Sequence, residues 1–320
     1  MMAMGVPQAQ TLRAPRMSRR LGRLARGVLL AVGSVIFLAY MLAPVAWLVS
    51  SSIQSEREIT SKPPHWIPHE PTLENFAAIL TAKDRTVTYE TRPKGVITTS
   101  GFIPSTANNL LPALRNSFII ASSVVLLNLL VGIPAAYAMA KIRFRGRHAS
   151  LYAILATRVI PDISLVVPFF LVIRNLGLLD SKLSLIITYL AITIPFSVFI
   201  LVNYLEALPE ELDKAARVDG CSRWQSLTKV HFPLALPSIV AVILFAFLAS
   251  WNEFLLALMF TQTTASQTVP IIVAAFTSDF TISFSFINAA GVIAIVPPVL
   301  VALAFQRYIV SGLTAGAVKG

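Results

Sequence analysis

Charge is what this chain has least of. Asp, Glu, Lys and Arg supply 13% of its 320 residues, about half the share usual in soluble globular domains. Hydrophobic residues supply 56%, and the mean hydropathy is +0.73. That shortage excludes an ordinary soluble fold and points to an integral membrane protein. Cysteine is nearly absent as well. Cys221 stands alone, so no disulfide can close within the chain, and it reads as a small packing residue rather than a reactive thiol. Catalytic signatures are missing too. G-x-x-x-x-G-K-[ST] occurs nowhere, so the chain has no phosphate cradle of its own. H-E-x-x-H and G-x-S-x-G are also absent. The four histidines, His65, His69, His148 and His231, fall in expected loops or polar segments without metal-ligand spacing, so no metal site is expected. Acidic side chains are outnumbered 26 to 15, for a net charge of +11. Such an excess can mark a nucleic-acid binder, but here the basic residues flank apolar runs, where control of membrane topology accounts for them.

What is present is a series of six apolar runs, each near the ~20 residues that cross a bilayer as a helix. They cover 28–49, 117–140, 151–173, 185–205, 239–260 and 289–308. The expected fold is therefore all-α and polytopic, with six transmembrane helices. The first run competes with a cleaved signal peptide, and Ser18-Arg19-Arg20-Leu21-Gly22 hints at a twin-arginine signal. The run is too long for a signal core and no A-x-A site follows it. Lysine and arginine cluster before the first run, at 141–147 and at 214–229, while 261–288 has neither. By the positive-inside rule both termini and those two basic loops face the cytoplasm, and 51–111 and 261–288 face outward. The organisation that follows is a basic terminus (1–27), a first helix (28–50), an outer loop (51–112), a five-helix core (113–308) and a tail (309–320).

One polar segment, 206–236, interrupts the core between the fourth and fifth runs. Pro209 opens a helix at a position where its missing N–H costs nothing. Glu210, Glu211 and Asp213 occupy the first turn, where the helix dipole favours acids. Leu212, Ala215 and Ala216 form a small apolar face. Gly220 ends the helix by taking a positive φ. Ser222 with Gln225 then makes a capping box for a second helix, whose stripe is Trp224, Leu227 and Val230, with Pro233 and Pro237 stopping it. A plain connector needs two to eight residues. Two capped helices in its place suggest a docking element.

The run Lys214-Ala215-Ala216-Arg217-Val218-Asp219-Gly220, with Leu236-Pro237 downstream, resembles the EAA loop of ABC importer permeases. Lys214 stands where that family usually has glutamate and Cys221 where alanine is usual. The stretches 249–258 (ASWNEFLLAL) and 306–320 (QRYIVSGLTAGAVKG) are similar to the carbohydrate branch, the maltose-type permeases with a MetI-like transmembrane core. The resemblance covers about 115–320. It implies a permease subunit of a binding-protein-dependent carbohydrate importer in a bacterial or archaeal inner membrane. The implied partners are a second, different permease chain, a cytoplasmic ATPase dimer that holds the ATP and Mg²⁺, and an extracytoplasmic solute-binding protein. It implies no cofactor in this chain, no enzymatic activity of its own and no nucleic acid. The ATPase would be met through Glu211, Asp213, Ala215, Ala216, Asp219 and Gly220, and the tail would reach into the ATPase dimer. The outer loop 261–288 would meet the binding protein through Thr277, Ser278 and Asp279.

Charged groups inside a span are costly and so are functional candidates. Arg158 and Asp162 lie at i, i+4 in the third run, and Trp251, Asn252 and Glu253 lie in the fifth. Two readings stand for both sets: a polar path for sugar hydroxyls, with Trp251 offering a stacking face, or bonds that hold helices together. An importer of another solute and an ion-gradient carrier remain as alternatives. A carrier of that kind is expected to show internal repeats or broken helices around a midplane ion site, and neither is clear in the sequence.

Overall fold

The computed structural model describes residues 16–81, 87–88, 100–101, 109–276 and 283–317. The elements are almost all helical. A long α1 (Arg16–Ser52) is followed by two short helices, α2 (Glu56–Ile59) and α3 (Glu74–Thr81). The strands β1 (Val87–Thr88) and β2 (Ser100–Gly101) pair antiparallel over two rungs. Then come α4 (Leu110–Lys141), α5 (Arg147–Ala156), which runs into a 3₁₀ turn, α6 (Asp162–Asn175) and α7 (Lys182–Glu206). The polar segment folds as α8 (Glu210–Val218), α9 (Arg223–Gln225), a π-helical turn and α10 (Phe232–Leu234). The chain continues through α11 (Leu236–Trp251), α12 (Leu255–Phe260) and α13 (Val269–Ala275) to α14 (Phe284–Ala317).

Four helices can cross a bilayer by length and composition: Ala25–Ser52 of α1, α4, α7 and Phe284–Tyr308 of α14. They match the expected first, second, fourth and sixth spans. The third and fifth differ from expectation. Run 151–173 is two pieces, Arg147–Val159 and Asp162–Asn175, bent by 96°. Pro161 causes the break. It donates no N–H and forces the preceding residue out of the helical region, and Ile160 accordingly has ψ 123°. Run 239–260 stops at Trp251 and restarts at Leu255 as α12. The other bent pair joins Arg223–Leu234 to Leu236–Trp251 at 79°. Counting each bent pair as one span raises the total from four to six among the described residues.

The bundle packs around α4, α7 and α11. Small residues permit close approach where lipid supplies no hydrophobic drive. Gly132 of α4 faces Val198 and Leu201 of α7, and Gly291 of α14 lies against Leu48 of α1. One core cluster gathers Phe247, Trp251, Ile272 and Phe276 at one end of the bundle. Another gathers Tyr137, Leu201, Leu205 and Leu227 at the end that carries α8. Residues 25–42 of α1 are exposed throughout, Leu29, Phe37 and Tyr40 among them. A helix that is apolar all round suits a hydrocarbon surrounding.

Candidate functional site

The chemistry of α8 begins at its caps. Pro209, expected as the first helical residue, sits at the N-cap one position earlier, and Glu210 opens the helix. At the other end Gly220 has φ +76°, the left-handed conformation that a glycine adopts without steric penalty. The Cys221 N–H donates to Ala216 O at 2.9 Å and the Gly220 N–H to Arg217 O at 3.0 Å. Those two bonds are the Schellman closure of a helix C-terminus. The capping box forms as expected: Gln225 N–H donates to Ser222 Oγ at 3.3 Å, and Ser222 N–H to Gln225 Oε1 at 2.8 Å. The second helix is less regular than its stripe suggested. Only α9 and a π turn (Ser226–His231) follow the cap. Leu227 is buried, but Trp224 is 63% exposed. Pro233 and Pro237 sit in the first turns of α10 and α11, where they start helices rather than stop them.

The two faces of α8 separate the expected docking residues. Ala216 is 3% exposed and packs inward, whereas Ala215 is exposed. Asp213 also points inward, into contacts with the bundle. Its Oδ2 lies 3.5 Å from Lys141 Nζ at the end of α4, and its Oδ1 lies 3.3 Å from Nε2 of the fully buried His231. Lys141 also donates to Leu208 O at 3.0 Å. The His231 ring holds Nδ1 3.1 Å from Ser226 O and stands edge-on to Tyr137 at 5.2 Å. The reason is helical spacing: Leu212, Asp213 and Ala216 share one face, and that face is the one covered by the bundle. The outward face carries Glu211, Lys214, Ala215 and Val218, with Asp219 and Gly220 at its tip. Val218 is 87% exposed, a bare apolar group amid charges that sequence reasoning left unweighted. Beside α8 opens a cavity of about 530 Å³ lined by Lys141, Arg143, Arg147, Arg217 and Arg223. Arg147 pairs with Glu206 at 2.5 Å and Arg143 with Glu210 at 3.5 Å.

Within the bundle, Arg158 and Asp162 do pair, at 3.1 Å. They span the 96° break rather than one continuous helix face, with Asp162 in the first turn of α6. Trp251 offers no stacking face. It is 3% exposed, stacks on Phe247 at 5.5 Å and donates its indole N–H to Ala294 O at 3.2 Å. Glu253 starts α12: its carboxylate accepts the Leu256 N–H at 2.7 Å and the Ala257 N–H at 3.1 Å. The same carboxylate accepts the Tyr189 hydroxyl at 2.6 Å. Tyr189 O in turn accepts Thr193 Oγ1–H at 2.7 Å, and Thr193 Oγ1 accepts Asn128 Nδ2–H at 2.8 Å. A buried polar line therefore ties α4, α7 and α12 together. Asn252, next to it, is exposed.

Thr277, Ser278 and Asp279 lie outside the described residues, so the structure leaves that expectation where it was. The stretch before them is held by Asp180, which has φ 56°. Its carboxylate accepts the N–H groups of Gln262 (2.9 Å) and Thr263 (3.0 Å), the Thr263 hydroxyl (2.7 Å) and the Ser266 hydroxyl. Burial alone pushes this carboxyl up, but the hydrogen bonds outweigh it and hold the group well below the usual carboxylate range. Glu58, in the segment after α1, is likewise held below its ordinary value. Burial raises it, but hydrogen bonds from the His69 backbone and ring, and the charge of His69 and His65, more than offset that.

A broken-helix membrane bundle with a capped polar foot between its fourth and fifth apolar runs defines a class, the polytopic permease. Comparison with known proteins narrows it. Residues 128–315 match the family described as "Binding-protein-dependent transport system inner membrane component", and the chain belongs to that family, whose members are transport components rather than enzymes. The trehalose/maltose transport system permease protein MalG of Thermococcus litoralis is 36% identical over 295 residues, 92% of this chain and 97% of its own. The sulfoquinovosyl glycerol transport system permease protein SmoH of Agrobacterium fabrum is 34% identical over 289 residues, 90% and 93% of the two chains. Among solved structures, a chain of a bacterial ABC transporter involved in the import of the acidic polysaccharide alginate superposes with a TM-score of 0.69 at 23% identity. The match covers 93% of this chain and all of that one. At that identity the likeness shows the fold.

Proposed function

We propose that this chain is one of two transmembrane subunits of an ATP-driven, binding-protein-dependent carbohydrate importer. In this reading both termini and α8 face the cytoplasm, and α8 is the foot through which a separate ATPase, carrying ATP and Mg²⁺, moves the bundle. The observation that carries the reading is the two-sidedness of α8. Its inner face is bolted to α4 by Asp213 and Lys141, while its outer face presents Glu211, Ala215 and the bare Val218. A push on the outer face passes to α4 without slack, which is what rigid-body alternating access requires. The close relatives named for trehalose, maltose and sulfoquinovosyl glycerol transport support a sugar or glycoside as the solute. Relatives of the maltose type support a different chain as the second subunit, with the tail reaching toward the ATPase and the 277–279 stretch toward the binding protein. Exposed Asn252 and the Arg158–Asp162 pair are the polar groups open to a solute.

The test is uptake of labelled sugar by membranes containing all subunits. Gly220→Val is expected to cut uptake and transport-coupled ATP hydrolysis by at least about tenfold at unchanged membrane content, because a β-branched residue resists positive φ. Uptake that survives loss of the ATPase and collapses with the ion gradient would replace this reading by a gradient-driven carrier.

A further inference from the structure

We propose that Glu58, His65 and His69 form a binding site for a divalent late-transition cation, with Zn²⁺ the best fit, at the end of the bundle opposite α8. The sequence hides the site. His65 and His69 are four apart, a spacing that serves a helix, but the stretch between them holds Trp66, Ile67 and Pro68 and is not helical. The chain instead doubles back onto α2, and the fold brings one carboxylate and two imidazoles together.

The three donor atoms lie within 4.8 Å of one another. Glu58 Oε1 is 3.0 Å from His69 Nδ1 and 3.8 Å from His65 Nδ1. A tetrahedral zinc with bonds near 2.0–2.1 Å spaces its ligands about 3.3–3.5 Å apart, so these separations straddle the required value. The hydrogen bonding of His65 points to an occupant as well. Its side chain is 37% exposed, but the Nδ1 atom itself is shielded, stands beyond hydrogen-bond distance of the carboxylate it faces and has no hydrogen-bond partner among the described residues. A buried polar atom left in that state is costly, and an ion between the three donors would satisfy it. The donor set excludes the common hard cations: two imidazoles and one carboxylate suit Zn²⁺, Cu²⁺ or Ni²⁺ rather than Mg²⁺ or Ca²⁺.

The surroundings hold the donors in place, as outer partners do at built metal sites. The His69 N–H donates to Glu58 Oε1 at 2.6 Å, Gln54 Nε2 donates to His65 O at 2.9 Å, and Ser50 Oγ donates to Trp66 O at 2.6 Å. Trp66 packs edge-on against Trp47 of α1 at 5.0 Å. The Glu58 side chain is 10% exposed and that of His69 is 69% exposed, which leaves one open side for entry and for a water as fourth ligand. Two residues before Glu58, the Glu56 carboxylate accepts the N–H groups of Phe284 (3.1 Å) and Ser285 (2.9 Å) at the start of α14. A bound ion therefore stiffens the segment on which α14 begins.

The experiment uses the full chain, purified in detergent with a histidine-free tag and stripped of metal. ZnCl₂ is titrated against a fluorescent zinc chelator, and CoCl₂ is added separately as a spectroscopic probe. The expected result is one Zn²⁺ per chain, visible cobalt bands of a four-coordinate nitrogen and oxygen site, and no competition from Mg²⁺. His69→Ala alters the most exposed of the three side chains, whose ring stands edge-on to His65 at 4.4 Å, and it is expected to weaken zinc binding at least about tenfold while the far-UV circular dichroism of the chain stays unchanged. His65→Ala and Glu58→Gln should do the same. Equal zinc affinity in wild type and His69→Ala, or the absence of any stoichiometric site in wild type, overturns the proposal.

Discussion

Gly220 and Asp213 are single residues whose replacement separates shape from charge in the foot. No described atom lies within 4 Å of a Cβ built on Gly220, so a substitution there costs backbone energy alone, about 1–2 kcal/mol for the left-handed conformation. Gly220→Asn, which tolerates that region, should keep most of the transport that Gly220→Val loses. Asp213 is different because its cost is electrostatic. Asp213→Ala leaves the Lys141 ammonium, 7% exposed, with the Leu208 carbonyl and no counter-charge. Breaking a buried pair on one side costs about 3 kcal/mol or more, whereas removing both charges is often near neutral. Thermal unfolding in detergent should therefore show a large loss for Asp213→Ala and a partial recovery for the double variant Asp213→Leu, Lys141→Met. An additive double variant would sink the inward anchoring of α8. Glycine and capping box were legible from sequence because each acts within a few residues. The partners of Asp213 were not, since Lys141 reads as a topology charge and His231 as a loop histidine until the fold brings them to one carboxylate.

Elements of this bundle are broken where local chemistry breaks them. Pro161 divides the third apolar run, and in the fifth Glu253 accepts the N–H groups that open the second of its two helices. Glu253→Ala removes two N–H acceptors and orphans the Tyr189 hydroxyl, a loss of about 1–2 kcal/mol on the scale of helix caps. Glu253→Gln keeps one acceptor oxygen and should retain most stability and most uptake. If Glu253→Gln folds normally yet abolishes uptake, the carboxylate serves the solute path rather than the architecture. Asp180 makes the equivalent test by pH. A carboxyl held below its ordinary value stabilises the fold at pH values above about 3.9, and that contribution is lost only as pH falls through the depressed folded value. Hydrogen exchange of residues 262–268 should therefore show the same protection at pH 7 and pH 5. Asp180→Asn should loosen that stretch at both, and loosening of the wild type already at pH 5 would contradict the clamp.

The whole molecule is an incomplete solid. Its hydrophobic surface is spread over α1, α6 and α14, where Leu29, Tyr40, Val167 and Leu300 stand exposed. Lipid covers some of that surface in a membrane, and a second subunit fits the remainder in the importer proposed here. The foot likewise has a finished inner face and an unfinished outer one. Such a division makes sense for a part that passes motion between partners, because stiffness is needed inward and a replaceable contact outward. The proposed cation site lies at the far end of the same body, so its loss should leave the foot untouched and make failures at the two ends distinguishable.

Sequence by itself determined the membrane class, four of the spans, and the foot with its glycine and its capping box. Each rests on hydrophobicity, charge bias or hydrogen bonds between near neighbours, which the order of residues already contains. Only the tertiary structure decided that Asp213 turns inward, that Trp251 is covered, that Glu253 accepts from Tyr189 and that two loop histidines converge on Glu58. Those outcomes depend on which helix face meets the bundle and where the outer loop folds back. They are set by packing among distant segments, for which periodicity along the chain carries no record.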